Sequence, residues 1–301
     1  MTQNILVLLV LLSPLVFILT AVSSWFQPGK RPLFIKKLSV SASIISLAIA
    51  ALGTIALLQY GEMETPTYGI NGLGFGLRLD ALSLLMFSMI AMLAFIIVRF
   101  SLNYLDGDAR QGVFIGRLSA TIAAVQLLVL AGNLALLFVA WVLTSMTLHR
   151  LLVFYRERPG ARIAARKKFI VARLGDLSLL GAIVLLFQQF NTGNLELIFQ
   201  GIKDAQESGL PLAGLGTAGL FLALAAVLKS AQFPTHGWLV EVMETPTPVS
   251  ALLHAGLLNA GPFLIIRMAY VMEASTTASL LLIAIGGFTA LFASVVFLTQ
   301  T

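Results

Sequence analysis

No cysteine occurs in the 301 residues, which excludes disulfides, thiolate metal sites, iron–sulfur clusters and cysteine nucleophiles. Charge is scarce as well. Charged residues make up 11% of the chain, less than half of the roughly 25% found in a soluble domain. Hydrophobic residues make up 58% and the mean hydropathy is +0.96, so a water-soluble enzyme is excluded. Familiar catalytic signatures are missing: there is no Walker loop, Rossmann fingerprint or G-x-S-x-G. His149, His236 and His254 are too dispersed for a metal-ligand pattern on one helix. No cofactor or metal is therefore assigned to this chain.

What is abundant is long apolar sequence, and a helix needs about 20 such residues to cross the hydrocarbon. The predicted fold is all-α, a polytopic membrane helix bundle of about nine spans. They run over 5–26, 38–58, 81–98, 113–131, 133–154, 171–190, 212–229 with a broken continuation, 248–271 and 277–298. The first is no cleaved signal peptide, since it lacks a basic leader and its apolar run is too long. Residues 118–148 form one uncharged stretch, which is either one overlong helix or two. Gly132-Asn133 at its middle is turn chemistry and favours a hairpin.

The placement of basic residues tests that count. With the hairpin, Lys30 to Lys37, Arg99 to Arg117 and Arg150 to Arg173 share one side, 15 of the 19 lysines and arginines. With a single helix the bias vanishes. The N-terminus is thus expected outside, on the side opposite the basic loops. The net charge of +6 records topology and contact with anionic headgroups, and no nucleic-acid partner is expected. Two mildly acidic loops, 59–80 and 191–211, lie on the opposite side and are too short for separate domains.

Ionisable groups inside spans are costly and generally face a bundle interior or ion pathway. Lys229 closes an uncharged stretch and is followed by Ser-Ala-Gln-Phe-Pro, and Pro234 should break the helix near there. Snorkelling to the interface is the alternative reading. Thr247, as N-cap, and Pro248 open the next helix. His254 lies six residues further on, with Ser250 one turn before it. A histidine can exchange a proton near neutral pH, or it can simply pack with its hydrogen bonds satisfied. Arg173 and Asp176 fall on one helical face and can pair. Glu241 and Glu244 flank the broken segment and are either solvated or an entry vestibule for protons.

The segment Lys229-Ser-Ala-Gln-Phe-Pro-Thr-His-Gly-Trp-Leu, with Glu244-Thr-Pro-Thr-Pro-Val-Ser-Ala-Leu-Leu-His254, resembles the antiporter-like superfamily. This comprises the proton-pumping subunits of respiratory complex I and the Mrp cation/proton antiporters. Arg173-Leu-Gly-Asp176 and the stretch from Asn133 to Trp141 resemble it too. The resemblance implies a proton path through the lysine of the broken seventh helix and the histidine of the eighth, here Lys229 and His254. Asp176, with Arg173, would modulate it. The pattern departs at Val142, where pumping members carry a glutamate that pairs with the lysine. Lys229 must then be neutral or find its acid elsewhere: Asp176, water-linked residues or another subunit.

The run from Trp141 to Tyr155, with Arg158-Pro and Ala164 to Asp176, is similar to one branch, the DabB membrane subunits of inorganic-carbon accumulation systems. That resemblance implies a heteromeric complex with a DabA-like zinc protein, the zinc belonging to the partner. It also implies that H+ or Na+ flow, protons first, energises conversion of carbon dioxide to bicarbonate. The chain divides into helices 1–3 (1–112), a five-helix antiporter-like first repeat, helices 4–8 (113–271), and the start of a second repeat, expected to be truncated (272–301). The rival readings are a complex I, hydrogenase or Mrp-type pump subunit, and a non-conducting scaffold for a soluble partner.

Overall fold

A computed structural model describes residues 2–209, 212 and 214–299. In chain order the elements are α1 (Thr2–Val10), α2 (Leu12–Ser23), α3 (Leu33–Tyr60), β1 (Met63–Glu64), β2 (Tyr68–Ile70), β3 (Leu73–Phe75), β4 (Arg78–Leu79), α4 (Ala81–Tyr104), α5 (Gln111–Val129), α6 (Leu134–Leu152), α7 (Pro159–Phe190) and α8 (Leu195–Glu207). Then follow α9 (Leu215–Lys229), α10 (Gly237–Val240), a 3-10 turn (Glu241–Glu244), α11 (Thr247–Leu252), a π-helical turn (Leu253–Leu257), α12 (Ala260–Arg267), α13 (Ala269–Glu273) and α14 (Thr276–Thr299).

Seven helical segments among the described residues are long and apolar enough to cross a membrane, and Leu215–Lys229 is a shorter apolar helix. The remaining two of the nine predicted spans are the interrupted ones, α9 with its continuation and α11 to α13. The hairpin is present. Asn133 caps α6, its Oδ1 accepting from Leu136 N at 2.8 Å. Gly132 fits against Leu77, whose carbonyl carbon would lie 2.9 Å from any Cβ added there.

Three boundaries differ from the sequence reading. The first span is interrupted at Leu11, because Pro14 cannot donate to the preceding turn and its ring would clash with that turn's carbonyl. The sixth helix begins at Pro159, not at Val171. Proline is preorganised for the first helical position, and the alanine- and arginine-rich segment after it has high helix propensity. Its basic residues therefore stand on a helix. Finally, α11 starts at Thr247 with Pro246 in the cap position, so Thr247 is not the N-cap. Pro248 then takes the first turn, where its missing N–H costs nothing.

The two ends of the bundle differ in chemistry. At the basic end, Lys36 pairs with Asp106 at 2.9 Å and Arg110 with Glu157 at 2.6 Å. At the acidic end lie two small antiparallel strand pairs, β1–β4 and β2–β3, and Arg78 of β4 pairs with Glu196 of α8 at 2.5 Å. Helix α8 buries Leu195, Ile198, Phe199 and Ile202, the spacing of one amphipathic face. The predicted acidic loops are thus one folded cap over that end.

Candidate functional site

Helix α9 ends at Lys229, where Ala231 takes a positive φ of 52° and the chain leaves the helical path. The lysine Nζ reaches α6, donating to Trp141 O at 2.9 Å, Thr144 Oγ1 at 2.9 Å and Ser145 Oγ at 2.7 Å. It also lies 4.3 Å from the centroid of the Trp141 ring, in reach of a cation–π attraction. Residues i, i+3 and i+4 share a helical face, which is why these three α6 side chains converge. An ammonium has three donors and no acceptor, and all three are used. Among the described residues no carboxylate comes within ion-pair distance of it.

Asp176 stands buried on α7, with Oδ2 at 2.7 Å from Arg173 Nη2. The charges of Lys229, Arg173 and Lys168 all act on this carboxylate, with the Trp141 indole as a neighbouring donor. Gly175 on the same helix packs against Leu228 of α9.

The sequence reading missed Lys168, which it counted with the basic loop. Its residue is 5% exposed, and its Nζ donates to Ser145 O at 2.9 Å. The signal was available: Ala161, Ala164, Ala165, Lys168, Ala172, Gly175 and Leu179 form the buried stripe of α7, at helical spacing. Thr144 and Ser145 were missed as acceptors. Lys168, Lys229, Thr144 and Ser145 line a cavity of about 10 Å³, closed by Trp238, Leu253 and Leu257. That is room for about one water.

The other predicted residues fall elsewhere. His254 is exposed on the π-helical turn and does not line this cavity. Ser250 is half-buried and Pro248 buried one turn earlier, and Pro234 is exposed in the break after α9. Glu241 pairs with Lys167 at the basic end, and the side chain of Glu244 lies outside the described residues. No cluster of three His, Asp or Glu side chains that could hold a metal forms among the described residues.

A second charged cluster lies at the acidic end. Asp80 caps α4, accepting from Ser83 N at 2.8 Å, and it is gripped by Arg267 through both carboxylate oxygens, Oδ1 at 3.2 Å. Arg267 also donates to Ser83 Oγ at 2.6 Å, and Arg78 Nε donates to Asp80 Oδ2 at 2.7 Å. Burial pushes the Asp80 carboxyl up, but the hydrogen bonds and charge of Arg267, then Ser83 and Arg78, outweigh it. The group is held well below the usual carboxylate range.

Residues 131–301 match the transmembrane family of NADH:quinone oxidoreductases and Mrp antiporters. Residues 69–115 match the N-terminal family of chain 5 of NADH-ubiquinone oxidoreductase, complex I. The probable inorganic carbon transporter subunit DabB2 of Halothiobacillus neapolitanus is 41% identical over 244 residues, 81% of this chain and 44% of that protein. Subunit DabB of Hydrogenovibrio crunogenus is 37% identical over 262 residues, 85% and 49%. NADH-quinone oxidoreductase subunit L of Mycobacterium tuberculosis is 35% identical over 223 residues, 74% and 34%. The chain spans about half the length of the DabB relatives it matches. Within the solved Mrp complex of Dietzia sp., a chain superposes with a TM-score of 0.76 at 26% identity, covering 92% of this chain and 30% of that one.

Proposed function

Because the chain belongs to the NADH:quinone oxidoreductase/Mrp antiporter family of membrane subunits, and its curated relatives include DabB inorganic carbon transporter subunits, we propose that it moves protons through the Lys229 cluster to energise inorganic-carbon uptake. A DabA-type zinc protein is the proposed partner, with the zinc on that partner. The basic end faces the cytoplasm of a bacterial inner membrane in this reading, and the N-terminus lies outside.

The observation that carries it is the Lys229 ammonium, held at the end of a broken helix by neutral acceptors and facing a second buried lysine across a one-water cavity. A proton entering from the basic end passes Glu241 and Lys167 and is taken up on Lys168. It crosses by way of the cavity to an unprotonated Lys229. Like charges repel strongly where water is excluded, so a proton gained by one amine favours release from the other. Asp176, steadied by Arg173, offsets the positive charge while Lys229 holds the proton. Release then runs past the π-helical turn that carries His254. Such π-helical turns recur at functional sites.

The test is growth of a carbonic-anhydrase-deficient host at ambient carbon dioxide, with the full complex expressed. Lys229→Ala and His254→Ala should each abolish rescue while the complex still assembles. Full rescue by both variants overturns the relay. The 35% identity to the complex I subunit favours a second reading, a pump subunit of a redox or Mrp-type assembly. Copurification with quinone-reducing or hydrogenase-like subunits, and no zinc protein, would select it.

A further inference from the structure

A second cavity lies away from the lysines. Between α2, α5 and α6, at the basic end, a cleft of about 600 Å³ opens sideways from the bundle. Trp25, Val113, Leu143 and Met146 give it apolar walls, and Arg117 and Arg150 stand at its mouth. Trp25 is 78% exposed just beyond the end of α2. Tryptophan concentrates at the headgroup level of a bilayer, so it marks the depth at which the two arginines sit.

Like charges gather at that mouth. Arg110, Arg150 and Arg156 all act on Arg117 as like charges. A neighbouring hollow continues the cleft past Arg117 to Arg110 and Arg156. Arg110 pairs with Glu157, but among the described residues Arg117, Arg150 and Arg156 pair with no carboxylate. Arg117 Nη1 instead donates to Arg150 O at 2.8 Å, which fixes its guanidinium at the cleft. Guanidinium groups bind phosphate oxygens bidentately. Basic pockets between transmembrane helices on the cytoplasmic side are suited to anionic headgroups.

We propose that this cleft is a binding site for one anionic phospholipid. Its phosphodiester lies between Arg117 and Arg150, and an acyl chain fills the groove along Leu143 and Met146. Bound there, the lipid ties the end of α2 to the α5–α6 hairpin that supplies the cage of Lys229. The inference stands apart from the proton-relay reading.

Native mass spectrometry of the full chain, released from nanodiscs containing equal phosphatidylglycerol and phosphatidylethanolamine, tests it. The expected result is preferential retention of one phosphatidylglycerol. Arg117→Gln and Arg150→Gln should each lower retention about fivefold, and the corresponding lysine variants should largely restore it. Leu143→Trp, which fills the groove and leaves the charges in place, should also lower it. Leu85→Trp, on the exposed face of α4, should not. Equal retention of both lipids, or retention unchanged by the glutamine variants, overturns the proposal. So does a photocrosslink from position 143 in native membranes that captures a polypeptide and no lipid.

Discussion

Lys168 and Lys229 reach the same residue from different helices. Lys229 Nζ donates to the Ser145 hydroxyl at 2.7 Å, and Lys168 Nζ to the Ser145 carbonyl at 2.9 Å. Two buried amines thus share one residue of α6, while the position after Trp141 is valine and offers no carboxylate. Cations outnumber acids in this cluster: Lys168, Lys229 and Arg173 surround Asp176. Burying an ammonium without a counter-charge in contact costs stability. Retaining two of them without a carboxylate in contact is therefore better explained by what they transfer than by what they hold together.

Lys168→Met separates those roles. Methionine matches the length of the lysine stem and fills irregular space, so thermal stability in detergent should be unchanged or higher. Proton uptake by proteoliposomes of the assembled complex, followed with a pH-sensitive dye, should fall roughly a hundredfold, the scale of a lost proton-transfer group. Normal uptake with normal stability would make Lys168 a bystander.

Gly261→Ala should damage the cluster from a distance. A Cβ on Gly261 would lie 1.9 Å from Ser230 Oγ and 2.5 Å from Ala226 O. The hydroxyl can rotate away, but the carbonyl belongs to the last turn of α9. Helix α12 must then move off the turn that carries Lys229, at about 1–3 kcal/mol for overpacking. Gly286→Ala, with open space around it, is the control. The melting temperature should fall for the first variant only, and proton uptake with it.

The spans were legible because the bilayer sets the length of apolar sequence a crossing helix needs. Lys229 drew attention because it closes a long apolar run ahead of Pro234, and the family resemblance of that segment then favoured a buried role over snorkelling. Lys168 was not read, since it sits inside a run of basic residues whose other members face outward. Only the alanine stripe continuing on both sides of it sets it apart. Arg267 and Asp80 lie 187 residues apart, and no local pattern links them. The surroundings of His254 depend on a π-helical turn, in which Leu258 N bonds to Leu253 O at 3.1 Å. A regular 3.6-residue helix, assumed when Ser250 was placed one turn before it, does not extend through that segment.

Glu241→Gln tests the entry to the relay. The Lys167 and Glu241 side chains are 52% and 35% exposed, and exposed ion pairs contribute about 0–1 kcal/mol. The melting temperature should therefore hardly move. Proton uptake at low ionic strength should slow, because a carboxylate at the mouth attracts cations. The difference from wild type should shrink as added salt shortens the Debye length. A loss of uptake independent of salt would assign Glu241 to proton transfer itself instead of attraction.

The Asp80–Arg267 pair makes a pH-dependent contribution with a definite sign. The folded carboxyl is held below its ordinary value of 3.8, so the unfolded chain takes up its proton first as pH falls. The pair's stabilisation is complete above that ordinary value and is lost as pH drops through the depressed folded value. Between neutral pH and about pH 5 it should be constant. Asp80→Asn leaves Arg267, 5% exposed, without its counter-charge, and breaking such a buried pair costs about 3–5 kcal/mol. Melting in detergent should show a large deficit for this variant at pH 7. The gap from wild type should narrow only below about pH 4, where the wild-type advantage is itself being lost. A deficit that narrowed between pH 7 and pH 5 would mean that the Asp80 carboxyl is raised, as burial without a counter-charge would raise it, and that the acidic-end cap is not held by this pair.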